Sequence, residues 1–389
     1  MKKTLKIISV NLLIFILLLI IAELLLHIVP PFDRFVTYYD AGVKGRNEGA
    51  NKEYTYIGNE IGTISEFKVH IKNNSLGFHD SNHTFLNKAD NYRILIIGDS
   101  QVEAVQVELP KTFFKILERK LNNEGFHVEV ISLGKSGYGP KEALDLYKDI
   151  GRRFDPDLVI WSFTFNNDIT DSYPEFQKMV HERKVNNISR IPDFLESSKI
   201  ATFLYTRRWK QESNSLSVLR DTVLGDEFSY INKISNWDNL VFLKRWPSVI
   251  EQPWKSFEKY YVDLIEEIHN DGKEIITIST SGAYPDYLLR TNGNLDWDFD
   301  KPNQLVGEIS EENSVKFLSM EAQYELFRKR TGEKIIFNND GHLNEAGHKL
   351  VAETLFSEVK QLIINRNNNY VTNPKENRHN SLKENKAEK

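Results

Sequence analysis

The chain contains no cysteine. That absence removes disulfides, thiolate metal sites and a cysteine nucleophile from its chemistry, and it leaves the compartment to be read from other features. A basic cluster is also missing. Fifty Lys and Arg stand against 55 Asp and Glu, a net charge of −5, and the basic residues are scattered, so neither a nucleic-acid groove nor a polyanion-binding face is expected. No internal repeat is present, which excludes a solenoid. With 40% hydrophobic and 12% aromatic residues over 389 positions, the chain can bury one large core or two ordinary ones, and fibrous or wholly disordered readings fall away.

One long apolar run exists, at the N-terminus. Lys2, Lys3 and Lys6 precede residues 7–29, which are apolar except for Ser9, Asn11, Glu23 and His27. At 1.5 Å per residue such a run crosses a bilayer as a helix. A cleaved signal peptide is the competing reading, but the stretch exceeds a usual signal core and no small-x-small site follows Leu26. The expectation is an uncleaved single-pass transmembrane anchor in the cell membrane, with the lysines cytoplasmic and everything after Pro31 extracytoplasmic. Glu23 and His27 share one helix face near the outer end, where they reach the interface or each other. Residues 1–31 thus form head and anchor, and the polar, Asn- and Gly-containing residues 32–91 a stem and lead-in segment. Within it, Asn74-Ser75-Leu76-Gly77-Phe78 reads as a tight turn with an aromatic plug, and Asn82-His83-Thr84 matches a glycosylation sequon.

The stretch YRILIIGDSQ, 92–101, organises the rest. Its apolar run is that of a strand buried on both faces, hence of a parallel sheet, and it stops at Gly98-Asp99-Ser100. Ligands of open parallel sheets sit beyond the carboxyl ends of the strands, which makes Ser100 a candidate nucleophile; a plain strand-to-helix turn is the alternative. After it come a helical pattern at 112–121, a strand at 127–133, a helix opened by proline at 140–154 and a strand at 157–163, a βαβαβ run with right-handed crossovers. The alternation breaks over 169–253, as expected of a functional insertion such as a lid, and its aromatic residues Tyr205, Trp209, Tyr230, Trp237 and Trp246 suit sugar stacking, lipid contact or core filling. It resumes with a helix at 254–270, a strand at 274–280, a helix at 314–330, a short strand at 334–337 and a closing helix at 345–364. The predicted fold is a three-layer α/β/α sandwich on a five-stranded parallel sheet over 92–366, with a disordered tail at 367–389.

Four strand-end loops then fall on one edge of that sheet: Gly98-Asp99-Ser100; Leu133-Gly134-Lys135-Ser136-Gly137-Tyr138-Gly139; Phe165-Asn166-Asn167-Asp168; and Asn339-Asp340-Gly341-His342. A hydrolytic serine needs a base, a group to orient that base, and donors for the oxyanion. Glycines in the second loop open backbone N–H groups to a ligand, and an asparagine in the third offers an amide. Each residue also has an ordinary alternative: Gly137 a turn, Asn167-Asp168 an Asx turn or helix cap, Asp340 and Asn344 caps of the last helix, His342 an exposed loop histidine. His348 sits near enough to raise a metal reading with His342 and Asp340, but the spacing matches no zinc motif, and no cofactor is called for.

Together these four blocks resemble the SGNH hydrolase superfamily, the GDSL-type esterases and acyltransferases, across roughly residues 92–364. The resemblance implies a flavodoxin-like SGNH fold, Ser100 as nucleophile, and an oxyanion hole from the N–H groups of Ser100 and Gly137 and the amide of Asn167. His342 would be the base. The family's third block usually begins with glycine, here Phe165, which bears on the acyl pocket. Its fourth is usually Asp-x-x-His; here Asn339 stands three residues before His342 and Asp340 two before, so the orienting role passes to Asp340. The implied activity is hydrolysis of acyl, chiefly acetyl, esters of an envelope carbohydrate or lipid. O-acyl transfer to an envelope polysaccharide is the neighbouring reading, and a non-catalytic glycan-binding or assembly protein a third. The oligomeric state is not legible in the sequence.

Overall fold

The computed structural model describes residues 2–28, 49–58, 66–85, 91–176, 237–280, 296–337 and 340–372. In chain order its elements are α1 (Lys2–Ile28), β1 (Glu53–Ile57), β2 (Lys68–Lys72), β3 (Tyr92–Gly98), the single-turn α2 (Ser100–Glu103), α3 (Phe113–Asn123), β4 (Val128–Gly134), α4 (Pro140–Asp149), β5 (Leu158–Phe163), α5 (Phe165–Asp171), α6 (Glu251–Asn270), β6 (Glu274–Ser279), α7 (Lys301–Glu312), β7 (Lys316–Ser319), α8 (Met320–Thr331) and α9 (Glu345–Thr372). Five strands pair in parallel in the order β4-β3-β5-β6-β7. The chain leaves β3 for one side and then returns to the other, so the topological switch point lies at the carboxyl end of β3.

β3 is buried on both faces because its side chains alternate between two apolar layers. Ile94 and Ile96 pack with Phe113 and Leu117 of α3 and Leu355 and Val359 of α9, while Leu95 and Ile97 pack with Tyr147 of α4 and Phe257 and Tyr261 of α6. This is the three-layer sandwich with its five-stranded parallel sheet. The fifth strand is not where the sequence pattern places it. β7 occupies Lys316–Ser319, inside the stretch read as helix, and residues 334–337 contribute only one antiparallel bridge, Ile336 to Leu343. Ser314 supplies the reason: its left-handed backbone, φ 56°, ends α7 and redirects the chain before the helical pattern of α8 begins. A four-residue strand is too short to show its period against a following helix.

Both ends of the 169–253 insertion that fall among the described residues belong to the core. Ile169 and Phe176 at one end and Leu240, Val241, Phe242, Leu243 and Ile250 at the other are buried in the same layer as α6. Trp246 packs on Trp254 at 5.2 Å and donates its Nε1–H to the Val241 carbonyl at 2.8 Å, a filling role. Residues 177–236, with Tyr205, Trp209 and Tyr230, lie outside the described residues, as do the side chain of Trp237 and residues 373–389; the first residues of the expected tail, 367–372, continue the closing helix α9 in place of disorder.

The lead-in segment is fastened by side chains in place of a strand. In the turn at Asn74, Oδ1 accepts the N–H groups of Leu76 and Phe78, both at 3.0 Å, Gly77 has φ 90°, and the Phe78 ring enters the core. Downstream, β4 is an edge strand whose outward backbone groups would otherwise lack partners. Asn122 accepts from Val128 N and donates to Val128 O, both at 2.9 Å; Glu118 accepts from Val130 N at 3.0 Å; Lys115 donates to Val130 O at 3.1 Å; and Asp80 accepts from Ser132 N at 2.8 Å. Side chains of α3 and of the lead-in segment thus stand where a sixth strand would pair.

Asp80 is the hinge of a buried charge network. It meets His83 at 3.1 Å and Lys115 at 2.8 Å, and His83 in turn meets Glu129 at 2.8 Å, which holds Arg93 at 2.7 Å. Burial pulls the His83 imidazole down, but the Asp80 and Glu129 carboxylates outweigh it and its pKa lies above the ordinary 6.5. A raised histidine contributes stability that is complete below 6.5 and is lost as pH rises through the folded value. Burial works against the Asp80 and Glu129 carboxylates, yet their cationic partners hold both below the ordinary 3.8 and 4.5, so their contribution is lost only in acid. The share of the thermal midpoint that depends on His83, read as the difference between the parent and His83→Ala, is therefore expected to grow as pH falls from about 8 to about 6, while His79 and His348, held neutral by burial, work the other way in both proteins. His83→Ala should cost about 3 kcal/mol, as for a broken buried pair, and remove that share; a midpoint profile unchanged in the variant would show that the network does not couple to folding.

α1 is a single 27-residue helix whose described apolar side chains, such as Leu13 at 70% and Phe15 at 59%, are exposed. Among the described residues no helix is long and apolar enough to cross a membrane.

Candidate active site

The turn after β3 can lie flat over the ends of β4 and β5 only because glycines vacate the space. A Cβ on Gly98 would stand 2.4 Å from Val102 Cγ2 and 2.5 Å from the Ser162 carbonyl, and one on Gly134 would stand 2.2 Å from Glu103 N. Asp99 then caps α2, its Oδ1 accepting the Gln101 N–H at 2.9 Å while Oδ2 accepts the Thr164 hydroxyl at 3.0 Å. Burial raises the Asp99 carboxyl, and it raises Asp168 well above the ordinary 3.8, where the nearby Asp99 charge adds to the effect. Ala104, at φ 53°, ends the helix after one turn.

Ser100, the first residue of that turn, meets the loop between β7-α8 and α9. Its Oγ lies 2.8 Å from His342 Nε2, and His342 Nδ1 lies 2.5 Å from Asp340 Oδ1. With Nδ1–H donating to the carboxylate, Nε2 is the acceptor facing the hydroxyl. The imidazole and carboxylate side chains are 24% and 16% exposed, shielded enough for strong polar contacts and open enough for a substrate. Gly341, at φ 82°, permits the turn between them. Asn339 lies outside the described residues.

The second loop carries Gly137 at φ 77°, a backbone state that favours glycine and sets the direction of its N–H. Among the described residues, neither the Ser100 nor the Gly137 N–H is taken by another group. Asn167 is placed differently from the expectation of a free amide. Its Nδ2 donates to Asp168 Oδ1 at 3.0 Å and to Asp171 Oδ2 at 3.3 Å, because α5 stacks both carboxylates beside it. Phe165 does not open onto a pocket: its ring is fully buried, edge-on to Phe163 at 5.3 Å. His348 is fully buried too. Its Nδ1 accepts the Phe113 N–H at 3.3 Å, its ring stacks on Phe113, and burial pushes its pKa down to about 3, so it is a neutral packing residue between α9 and α3. Among the described residues no group of three or more acidic or histidine side chains is placed to hold a metal ion.

Two polar residues of α2 escaped the sequence reading. Gln101 Oε1 accepts the Leu343 N–H at 3.0 Å, and the Glu103 carboxylate accepts the Ser136 N–H at 3.1 Å as well as the Ser136 hydroxyl. The available signal was a glutamine and a glutamate following Ser100 where a buried turn would otherwise take apolar residues.

The profile of the GDSL-like lipase/acylhydrolase family matches residues 96–350. The chain belongs to this family. It is accordingly an ester-hydrolysing enzyme. Among solved structures, it is similar to an acetyl xylan esterase, AlAXEase, with 14% identity over 69% of this chain and 99% of that one and a TM-score of 0.40. It is similar to the esterase EstA of Pseudoalteromonas with 12% identity, 70% and 99% coverage and a TM-score of 0.37. A lipase/acylhydrolase of Enterococcus faecalis gives 13% identity, 69% and 95% coverage and a TM-score of 0.40. No curated protein sequence matches the chain.

Proposed function

We propose that this GDSL-like enzyme is a membrane-anchored serine esterase that removes acyl groups, chiefly acetyl, from an envelope carbohydrate or lipid. The observation that carries the reading is the hydrogen-bonded line from Ser100 Oγ through His342 to Asp340, at 2.8 and 2.5 Å. Ser100 Oγ attacks the ester carbonyl as its proton passes to His342 Nε2, and Asp340 holds the imidazole in the required tautomer and stabilises the imidazolium. The N–H groups of Ser100 and Gly137 receive the oxyanion. Asn167 adds a third donor by giving up its longer contact, the one to Asp171. The imidazolium returns its proton to the leaving alcohol; a water, deprotonated by His342, then cleaves the acyl-enzyme and releases the acid.

A serine-reactive phosphonate applied to the detergent-solubilised full chain tests the assignment, followed by mapping of the modified residue. Modification of Ser100 alone is expected, together with release of free acetate from an acetylated glycan. Transfer of the acetyl group to a sugar acceptor would assign the O-acyltransferase reaction, and neither labelling nor turnover would leave a binding protein.

The anchor reading is supported by the sequence, in which Lys2, Lys3 and Lys6 precede the apolar run 7–29. The lysine-rich head stays cytoplasmic and the enzyme domain faces outward. A reporter fused after Lys389 should be active only outside the cytoplasm, and the mature mass should include residues 1–31. Cytoplasmic reporter activity, or a mature chain beginning near Pro30, overturns the anchor.

A further inference from the structure

We propose that Gln101 and Glu103 are positioning residues, through which the single turn of α2 sets both the base loop and the oxyanion loop relative to Ser100. The inference rests on the reading of Ser100 and His342 as nucleophile and base. Gln101 and Glu103 are only 8% and 7% exposed, and both fasten groups next to a reacting one. Gln101 Oε1 receives the N–H of Leu343, the residue after the base, at 3.0 Å. On the other side, the His342 carbonyl accepts the Phe337 N–H at 2.9 Å. The peptide group that follows His342 is thus held through both its N–H and its C=O, and one of the two holds comes from the residue adjoining Ser100.

Glu103 does the same for the second loop. It accepts both donors of Ser136, the residue before Gly137, whose N–H direction depends on an unusual φ of 77°. α2 itself is fixed from the far side, where buried His79, kept neutral by burial, donates Nδ1–H to the Glu103 carbonyl at 3.0 Å. Where the family's name-giving motif ends in leucine, this chain has Gln101. Leucine would fill the space but leave the Leu343 N–H without its acceptor. The two tethers are separate, so their losses have different signatures.

The experiment measures kcat, KM, the pH profile of kcat/KM and the thermal midpoint for Gln101→Leu, Gln101→Glu and Glu103→Gln in the full chain, with Ser100→Ala beside them. Gln101→Leu should lower kcat about 10- to 50-fold with KM within about twofold, a fraction of what a lost oxyanion donor costs. Its acid limb should move to lower pH, because a loosened His342 loses part of the Asp340 support for the imidazolium. Gln101→Glu keeps an acceptor and adds a negative charge, so its limb should move the opposite way. Glu103→Gln is isosteric and should lower kcat about 10-fold with the limb unmoved, and slow phosphonate labelling in proportion. Rates within twofold of the parent, or kcat losses that follow the thermal midpoint and vanish when the assay is cooled, overturn the positioning role. If Ser100→Ala retains full activity, the functional reading fails and this inference with it. If Ser100→Ala is inactive while the α2 variants match the parent, only the inference fails.

Discussion

Ser100→Ala is expected to lower kcat by roughly 10⁴- to 10⁶-fold on an activated acetyl ester, with His342→Ala in the same range. The Ser100 hydroxyl is a weak nucleophile until Nε2 at 2.8 Å takes its proton, so neither group retains its function without the other. The double variant should therefore be no more than about threefold worse than the poorer single one. Residual turnover is expected to sit above the uncatalysed rate, because the N–H donors of Ser100 and Gly137 survive both substitutions. Steady-state rates of the purified full chain, with the phosphonate adduct as a count of competent sites, decide the matter. Losses that multiply in the double variant would mean that serine and histidine act independently, and unimpaired turnover in Ser100→Ala would remove the serine mechanism.

The parts of this molecule legible in its sequence are those governed by local pattern. β3 declares itself because Ile94 to Ile97 are apolar without interruption and glycine punctuates the end, and burial on both faces is what such a run requires. The turn at Asn74 is equally local, built from one side chain and the N–H groups two and four residues on. β7 was hidden for the converse reason: four residues hold two periods of a strand, and the helix that follows supplies a stronger signal.

Long-range polar pairing left no trace that a pattern could reveal. Asp80 takes the N–H of Ser132 across 52 positions, and Gln101 takes that of Leu343 across 242. In each case the polar residue looks like surface until the partner backbone is beside it. The resting orientation of Asn167 is a different case. Its neighbours Asp168 and Asp171 are visible in the sequence, one and four positions on, yet whether an amide faces substrate or its own helix depends on competing acceptors of similar strength. A single-turn α2 crowded with function follows the same logic: it sits at the switch point of the sheet, where every loop of the carboxyl edge comes within reach of one turn of helix.

Asp340→Asn should lower kcat by about 10⁴-fold while leaving the fold intact. The substitution keeps the shape of the side chain but permits its amide to donate to Nδ1, and the tautomer so favoured carries its proton on Nε2, where it can no longer accept from Ser100. A carboxylate is also lost from beside the imidazolium that forms during attack, so the defect falls on kcat and kcat/KM together, with substrate binding little changed. Asn339→Ala is the matched control, since Asn339 occupies the spacing at which the family usually carries its aspartate; it should be mild, within about threefold. The two variants separate by several orders of magnitude if the 2.5 Å contact between Asp340 and His342 is the working one. The opposite ranking, with Asn339→Ala severe and Asp340→Asn mild, would place the orienting group one residue earlier in the chain.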